Sequence, residues 1–263
     1  MAVRIGALLL VLLTFSATSS VDAQETEKPV FAIDTTRTIE GSVAIDAKLR
    51  SDPALHAMLL AEGKRELAKW RRKSEKSLKD IPDAFGSGRK YAFERSYNLR
   101  SAVGPYLCIT RLDYIDGLGA HPNHGTNTIL WDTRAKKAVS IRPLFKESAS
   151  DGPTLKRLAH EIRTKLAEEK KSRDIEIENP DTNPMLSQVN ADLLHMGAAA
   201  LAPSTEPNKS AGLIFYFTPY AVGSYVEGDY SAFVPWTDFK NDLSAEGAAL
   251  FGGERPDGDE KND

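Results

Sequence analysis

The chain has 263 residues, with 34 Lys and Arg set against 37 Asp and Glu, and the net charge of −3 comes from signs that are mixed along the sequence rather than pooled. That mixture argues against a nucleic-acid partner, which needs a concentrated basic face. A single cysteine, Cys108, leaves no intramolecular disulfide and no cysteine-pair zinc site. Residues 1–23 read as a secretory signal: Arg4 is the positive start, Ile5 to Phe15 the apolar run, and Val21-Asp22-Ala23 the cleavage site. The apolar run is short for a permanent membrane span, and Cys108 lies too far from the junction to take a lipid. The expected product begins at Gln24 and is periplasmic or secreted, without a membrane anchor after signal cleavage.

Residues 24–37 are polar and read as a flexible lead-in, followed by a strand-helix subdomain over residues 38–87. Val43, Ile45, Ala47 and Leu49 alternate with polar neighbours, as a half-buried strand does. Ser51-Asp52-Pro53 then supplies a helix cap and a first-turn proline. The helix carries Leu55, Met58, Leu59, Leu67 and Trp70 roughly on one face and stops near Ile81-Pro82. Its basic stretch from Lys69 to Lys79 reads as a solvated face.

Residues 88–252 read as a second, larger unit. Strands flank Val103-Gly104-Pro105 and run on through Leu112 and Tyr114 to a polar loop. Extended structure resumes at Ile129 to Trp131, turns at Asp132 to Lys136, and continues through Ala138 to Ile141 as an antiparallel meander. Pro153 opens the clearest amphipathic helix, with Leu155, Leu158, Ala159, Ile162 and Leu166 on one side and Lys170, Lys171 and Arg173 closing it. The span from Asp174 to Ala211 reads as loops with one short element inside Val189 to Leu201. Gly212 to Phe217 is a strongly apolar strand in an aromatic-rich stretch that reaches Phe239. Residues 253–263 read as a disordered acidic tail. The expected fold class is α+β, an antiparallel β-sheet covered by amphipathic helices.

The polar loop between Tyr114 and Trp131 holds His121, Asn123 and His124 beside three glycines and a proline. His121 and His124, with Asp113 and Asp116 nearby, suggest a metal. A catalytic zinc needs a third protein ligand, and neither a His-Glu-x-x-His helix nor a cysteine pair supplies one. The expectation is no metal and no cofactor, with His121 bracing its own loop. No nucleophile elbow, phosphate loop or dinucleotide loop is present either. Asp113, Asp116, Glu227 and Asp229 are carboxylates of the type that glycosidic hydrolysis uses, but sequence does not set their separation.

Gly119-Ala120-His121-Pro122-Asn123, then Ile129-Leu130-Trp131-Asp132, then Ser140 to Phe145, resembles the first hallmark of the RsiV-like domain of unknown function. Gly212 to Gly223 with Gly228 and Val234-Pro235 is similar to its second hallmark, a "FdPYaVg" run. Leu118 stands where that family has the first glycine of a pair. Ser42 to Trp70 is more weakly similar to the domain that precedes it, found also in PdaC-type peptidoglycan deacetylases. The family includes extracytoplasmic domains of anti-sigma factors, one of which senses lysozyme. The resemblance implies an envelope module that binds a lysozyme-like protein or a peptidoglycan fragment and catalyses nothing. The candidate ligand residues are His121, Asn123, His124, Tyr220, Tyr225 and Glu227, with no catalytic residue assigned. The alternative is a cell-wall-modifying hydrolase or deacetylase that uses His121 and nearby carboxylates. The two hallmarks are expected to meet, with His121 close to Tyr220.

Overall fold

The computed structural model describes residues 30–262, so the expected signal at 1–23 lies outside the described residues. Among the described residues, nine strands and four α-helices form two layers of mixed α+β architecture, mostly antiparallel. Among the described residues no helix is long and apolar enough to cross a membrane.

The first layer is a six-stranded sheet in the order β1 (Val30–Thr35), β2 (Ile39–Ile45), β3 (Tyr91–Val103), β4 (Tyr106–Asp116), β5 (Asn123–Asp132) and β6 (Lys137–Val139). Helix α1 (Pro53–Asp80) is the crossover between β2 and β3, which pair in parallel. Asp52 starts this helix as the sequence predicts: its Oδ1 accepts from the amides of Ala54 and Leu55 at 3.1 and 3.2 Å. Its Oδ2 also accepts from Trp131 Nε1 at 2.9 Å and Lys136 Nζ at 3.1 Å, so one carboxylate ties the helix start to β5 and the turn after it. Burial alone raises the Asp52 carboxyl, but the hydrogen bonds from Trp131, Leu55 and Lys136 outweigh it and hold it below its usual value. Leu55, Leu59 and Leu67 pack on Ile39, Val43, Phe93 and Tyr97. Gly63 permits the close approach, because a Cβ there would lie 2.4 Å from Val43 Cγ1.

Three features depart from the expected organisation. Val30–Thr35, inside the expected lead-in, is strand β1, paired antiparallel with β2 from Val30↔Ile45 to Thr35↔Glu40. The sheet runs across the boundary at 87/88, because β2 hydrogen-bonds β3 and the core under α1 includes Phe93, Ile109 and Trp131 from beyond it. The acidic tail is docked: Asp259 accepts from Arg100 at 2.9 and 2.6 Å and from Arg255 at 2.7 Å. One of its two partners, Arg100, is distant in sequence, which composition does not reveal.

The second layer is a three-stranded antiparallel sheet, β7 (Ala198–Leu201), β8 (Gly212–Phe217) and β9 (Tyr230–Pro235), with α2 (Pro153–Ser172) lying on β9. β8 is buried along its whole length. Short helices α3 (Trp236–Phe239) and α4 (Ala245–Leu250) close the far side. β7 packs on β4 and β5. Thr128 Oγ1 donates to Ala199 O, and Ser101 Oγ to Leu201 O, both at 2.6 Å, which stitches the two sheets at that edge. Cys108 lies in this seam and accepts from Leu201 N at 3.3 Å. Its complete burial pushes the thiol up to about 11, which fits a packing residue and not a nucleophile.

Candidate functional site

The polar loop after β4 and the segment from Pro219 to Gly228 after β8 meet at one end of the molecule. On the first side, Asp116 Oδ1 accepts from Leu118 N at 2.8 Å, a tight turn in which Leu118 adopts φ +59°. That angle is one glycine takes without penalty, and Leu118 is held in it by packing against the α1 core. His121 follows. Its Nδ1 lies 2.9 Å from the Pro122 carbonyl, which can only accept, so Nδ1 carries the hydrogen and Nε2 accepts from the Tyr220 hydroxyl at 3.2 Å. The Pro122 carbonyl also accepts from Tyr225 Oη at 2.9 Å.

Three rings close over this point. His121 stacks on Tyr225 at 4.0 Å between centroids, and Tyr220 stands 5.6 Å from Tyr225 and 6.2 Å from His121. Tyr220 has φ +72°, a strained conformation for a bulky side chain, and is 60% exposed. His124 sits at the flank, with Nε2 3.1 Å from Asp229 Oδ2 and its ring 6.5 Å from Tyr225. Asn123 opens β5 opposite Ile115 and is exposed.

Glu227 faces inward instead. Its carboxylate accepts from Ser224 N at 2.7 Å, Ser224 Oγ at 2.8 Å and Tyr230 Oη at 2.8 Å, and from the Lys170 ammonium. Ser224 and Glu227 form a capping box around the short turn Tyr225–Glu227. Burial alone raises the Glu227 carboxyl, but Lys170, Ser224 and Tyr230 together bring it down to about 2. The same contact, added to burial, pushes Tyr230 up to about 12. Lys170, read from sequence as a helix-closing cation, is only 3% exposed at its side chain. Arg173 donates to the Glu227 carbonyl at 2.9 Å and lies 4.1 Å from the Tyr230 ring centroid. The aromatic loop is therefore braced from below by α2.

The structure thus brings together His121, His124, Tyr220 and Tyr225, leaves Asn123 at the rim, and turns Glu227 into the support. Lys170 and Arg173 were missed as supports; the Ser-x-x-Glu spacing of the capping box is the local signal that marks the loop they hold. The other carboxylates of the first loop are engaged elsewhere. Asp113 takes both its bonds, at 2.5 and 2.6 Å, from Arg95, and Asp116 takes Leu118 N. Among the described residues no group of three or more His, Cys, Asp or Glu side chains is placed to hold a metal ion.

Residues 144–237 match the family described as "Protein of unknown function (DUF3298)". No curated protein matches the chain. A crystal structure of a DUF3298 member from Bacteroides fragilis NCTC 9343 is similar with a TM-score of 0.54 at 12% identity, over 82% of this chain and 92% of that one. A second, a DUF3298 protein from Pseudomonas aeruginosa PAO1, aligns with a TM-score of 0.49 at 13% identity, over 86% of this chain and 95% of that one. At such identities the first likeness speaks for the fold alone. The matched segment, residues 144–237, holds α2, the three-stranded sheet and the Tyr220–Tyr225 half of the junction, and over that span the chain is similar to the DUF3298 family.

Proposed function

We propose that this protein is an exported, non-catalytic envelope module that docks a protein partner of the lysozyme type on the junction of His121, Tyr220 and Tyr225. One observation carries the reading. Bulky side chains are held outward on a braced loop, with Tyr220 60% and Val226 91% exposed, above the inward Lys170–Glu227 pair. Exposed aromatic groups on a rigid support are what interface anchors are made of, since little conformational entropy remains to be lost on binding. The signal-like residues 1–23 support an extracytoplasmic setting, and the family resemblance supports the choice of partner. Asn123 and His124 form the polar rim of this surface.

Immobilised c-type lysozyme provides the test. The wild-type protein is expected to bind, and Tyr220→Ala to weaken binding about tenfold or more with its thermal midpoint unchanged. Absence of binding to lysozyme sinks the reading. Turnover of muropeptides that disappears in His121→Ala replaces it with the hydrolase or deacetylase alternative.

A further inference from the structure

The two sheets touch along β7 but diverge toward β9, and between their facing surfaces runs an open groove of about 930 Å³. It continues past Leu112, Thr126 and Asp229 into a second hollow of about 380 Å³ lined by the same three residues. Together these exceed one small-molecule site and form a channel across the uncovered face of the large sheet. The floor offers Ser42, Ser96 and Thr126 hydroxyls around Leu112, which is 42% exposed, with buried Thr110 of β4 beneath, its hydroxyl donating to the Asn98 carbonyl. These residues come from β2, β3, β4 and β5, neighbours in the sheet, so the floor spans about 14 Å at a strand spacing of ~4.8 Å. Tyr216 and Phe233 wall one side.

Charge decides what fits. Every Lys and Arg whose side chain faces the groove already faces a carboxylate: Lys165–Glu168 at 3.0 Å, Arg173–Glu169 at 2.7 Å and Arg255–Asp259 at 2.7 Å. Arg95, at the edge of the smaller hollow, turns its side chain away to Asp113 and Glu62 under α1. A phosphate or polyanion finds no cation that is not already paired, so it competes with internal partners. An added peptide strand finds a sheet face whose backbone groups are committed to the ladders of β2 through β5. What the groove offers is short hydroxyls, planar carboxylate and guanidinium groups at the rim, and an apolar patch in the middle. That set suits a chain of rings with hydroxyls at the edges and C–H faces above and below.

We propose that this inter-sheet groove binds a neutral, extended oligosaccharide, with Leu112 under a ring face and the surrounding hydroxyls and rim carboxylates taking its hydroxyl groups. The groove adjoins the aromatic junction through Asp229 and His124, but it rests on no assumption about the partner docked there. Titration of the full chain with chitotetraose and chitobiose, followed by NMR shifts and calorimetry, tests it. Chitotetraose is expected to bind about tenfold or more tighter than chitobiose, to perturb Leu112 and Thr126, and to lose about tenfold or more in Leu112→Lys but not in Tyr220→Ala. Should Leu112→Lys not fold, Ser96→Arg blocks the smaller end and the same criteria apply. No perturbation by chitotetraose at about 10 mM overturns the assignment. So does equal binding by the blocked variant, loss of binding in Tyr220→Ala instead, or tighter binding of a heparin hexasaccharide than of chitotetraose. Chitotetraose binding without lysozyme capture refutes the protein-docking reading and leaves the groove standing; lysozyme capture without saccharide binding does the reverse.

Discussion

Two ionic clusters lie under the two long helices, α1 and α2, and they do different work. Beneath α1, Arg95 is bonded twice to Asp113 and lies 3.3 Å from Glu62, which also takes Arg111 at 2.7 Å. This cluster joins α1, β3 and β4, all parts of one sealed layer. Beneath α2, Lys170 and Glu227 join a helix to a loop whose outer side carries exposed aromatic rings. The chemistry is similar, a buried cation with a carboxylate, but one pair locks a core and the other locks a surface. A buried pair is weak evidence for net stability, whereas removing one partner leaves an uncompensated charge. The difference between the clusters therefore appears in where order is lost.

The largest effect belongs to the first cluster. Arg95→Met takes both hydrogen bonds from Asp113, leaving it only Arg111 Nε at 3.7 Å, and is expected to lower the unfolding free energy by about 3 kcal/mol, read by urea denaturation as one cooperative shift. Lys170→Met is expected to act locally: amide exchange over residues 219–230 accelerates while β3 and β4 keep their protection. If both variants lose protection evenly across the chain, the contrast fails.

An intermediate effect comes from pH. The Glu227 carboxyl is depressed from 4.5 to about 2, so its contribution is fully present above the unfolded value and fades as the pH falls through the folded one. The thermal midpoint of the wild type is expected to exceed that of Glu227→Gln at about pH 5, and the gap to narrow toward about pH 2. A gap that widens on acidification refutes the assignment.

The smallest effect concerns Tyr220. Its φ of +72° suits glycine, so Tyr220→Gly is expected to leave stability unchanged or raise it by up to about 1 kcal/mol, while partner binding falls. A clear loss of stability would show that the ring is held for packing rather than for contact.

Local elements were legible because their causes are local. Asp52-Pro53 announces α1 through capping, the spacing of Leu155, Leu158, Ile162 and Leu166 announces α2, and Gly212 to Phe217 reads as a buried strand. β1 was not legible, since Val30–Thr35 becomes a strand through pairing with β2 and carries little pattern alone. The parallel pairing of β2 with β3 was missed because α1 separates the two strands in sequence. The docked tail depends on Arg100, far away along the chain.

For the site, the sequence alone singled out the candidate residues, two histidines in a glycine-rich loop and two tyrosines after a buried strand, with the expectation that these segments meet. They do meet, at the Tyr220–His121 bond. Only the tertiary structure decided that Glu227 turns inward onto Lys170, that His124 pairs with Asp229, and that the diverging sheets leave a groove beside them. Side-chain type follows from the sequence, but direction and partner follow from elements distant in the chain brought within bonding distance by the burial of the two cores.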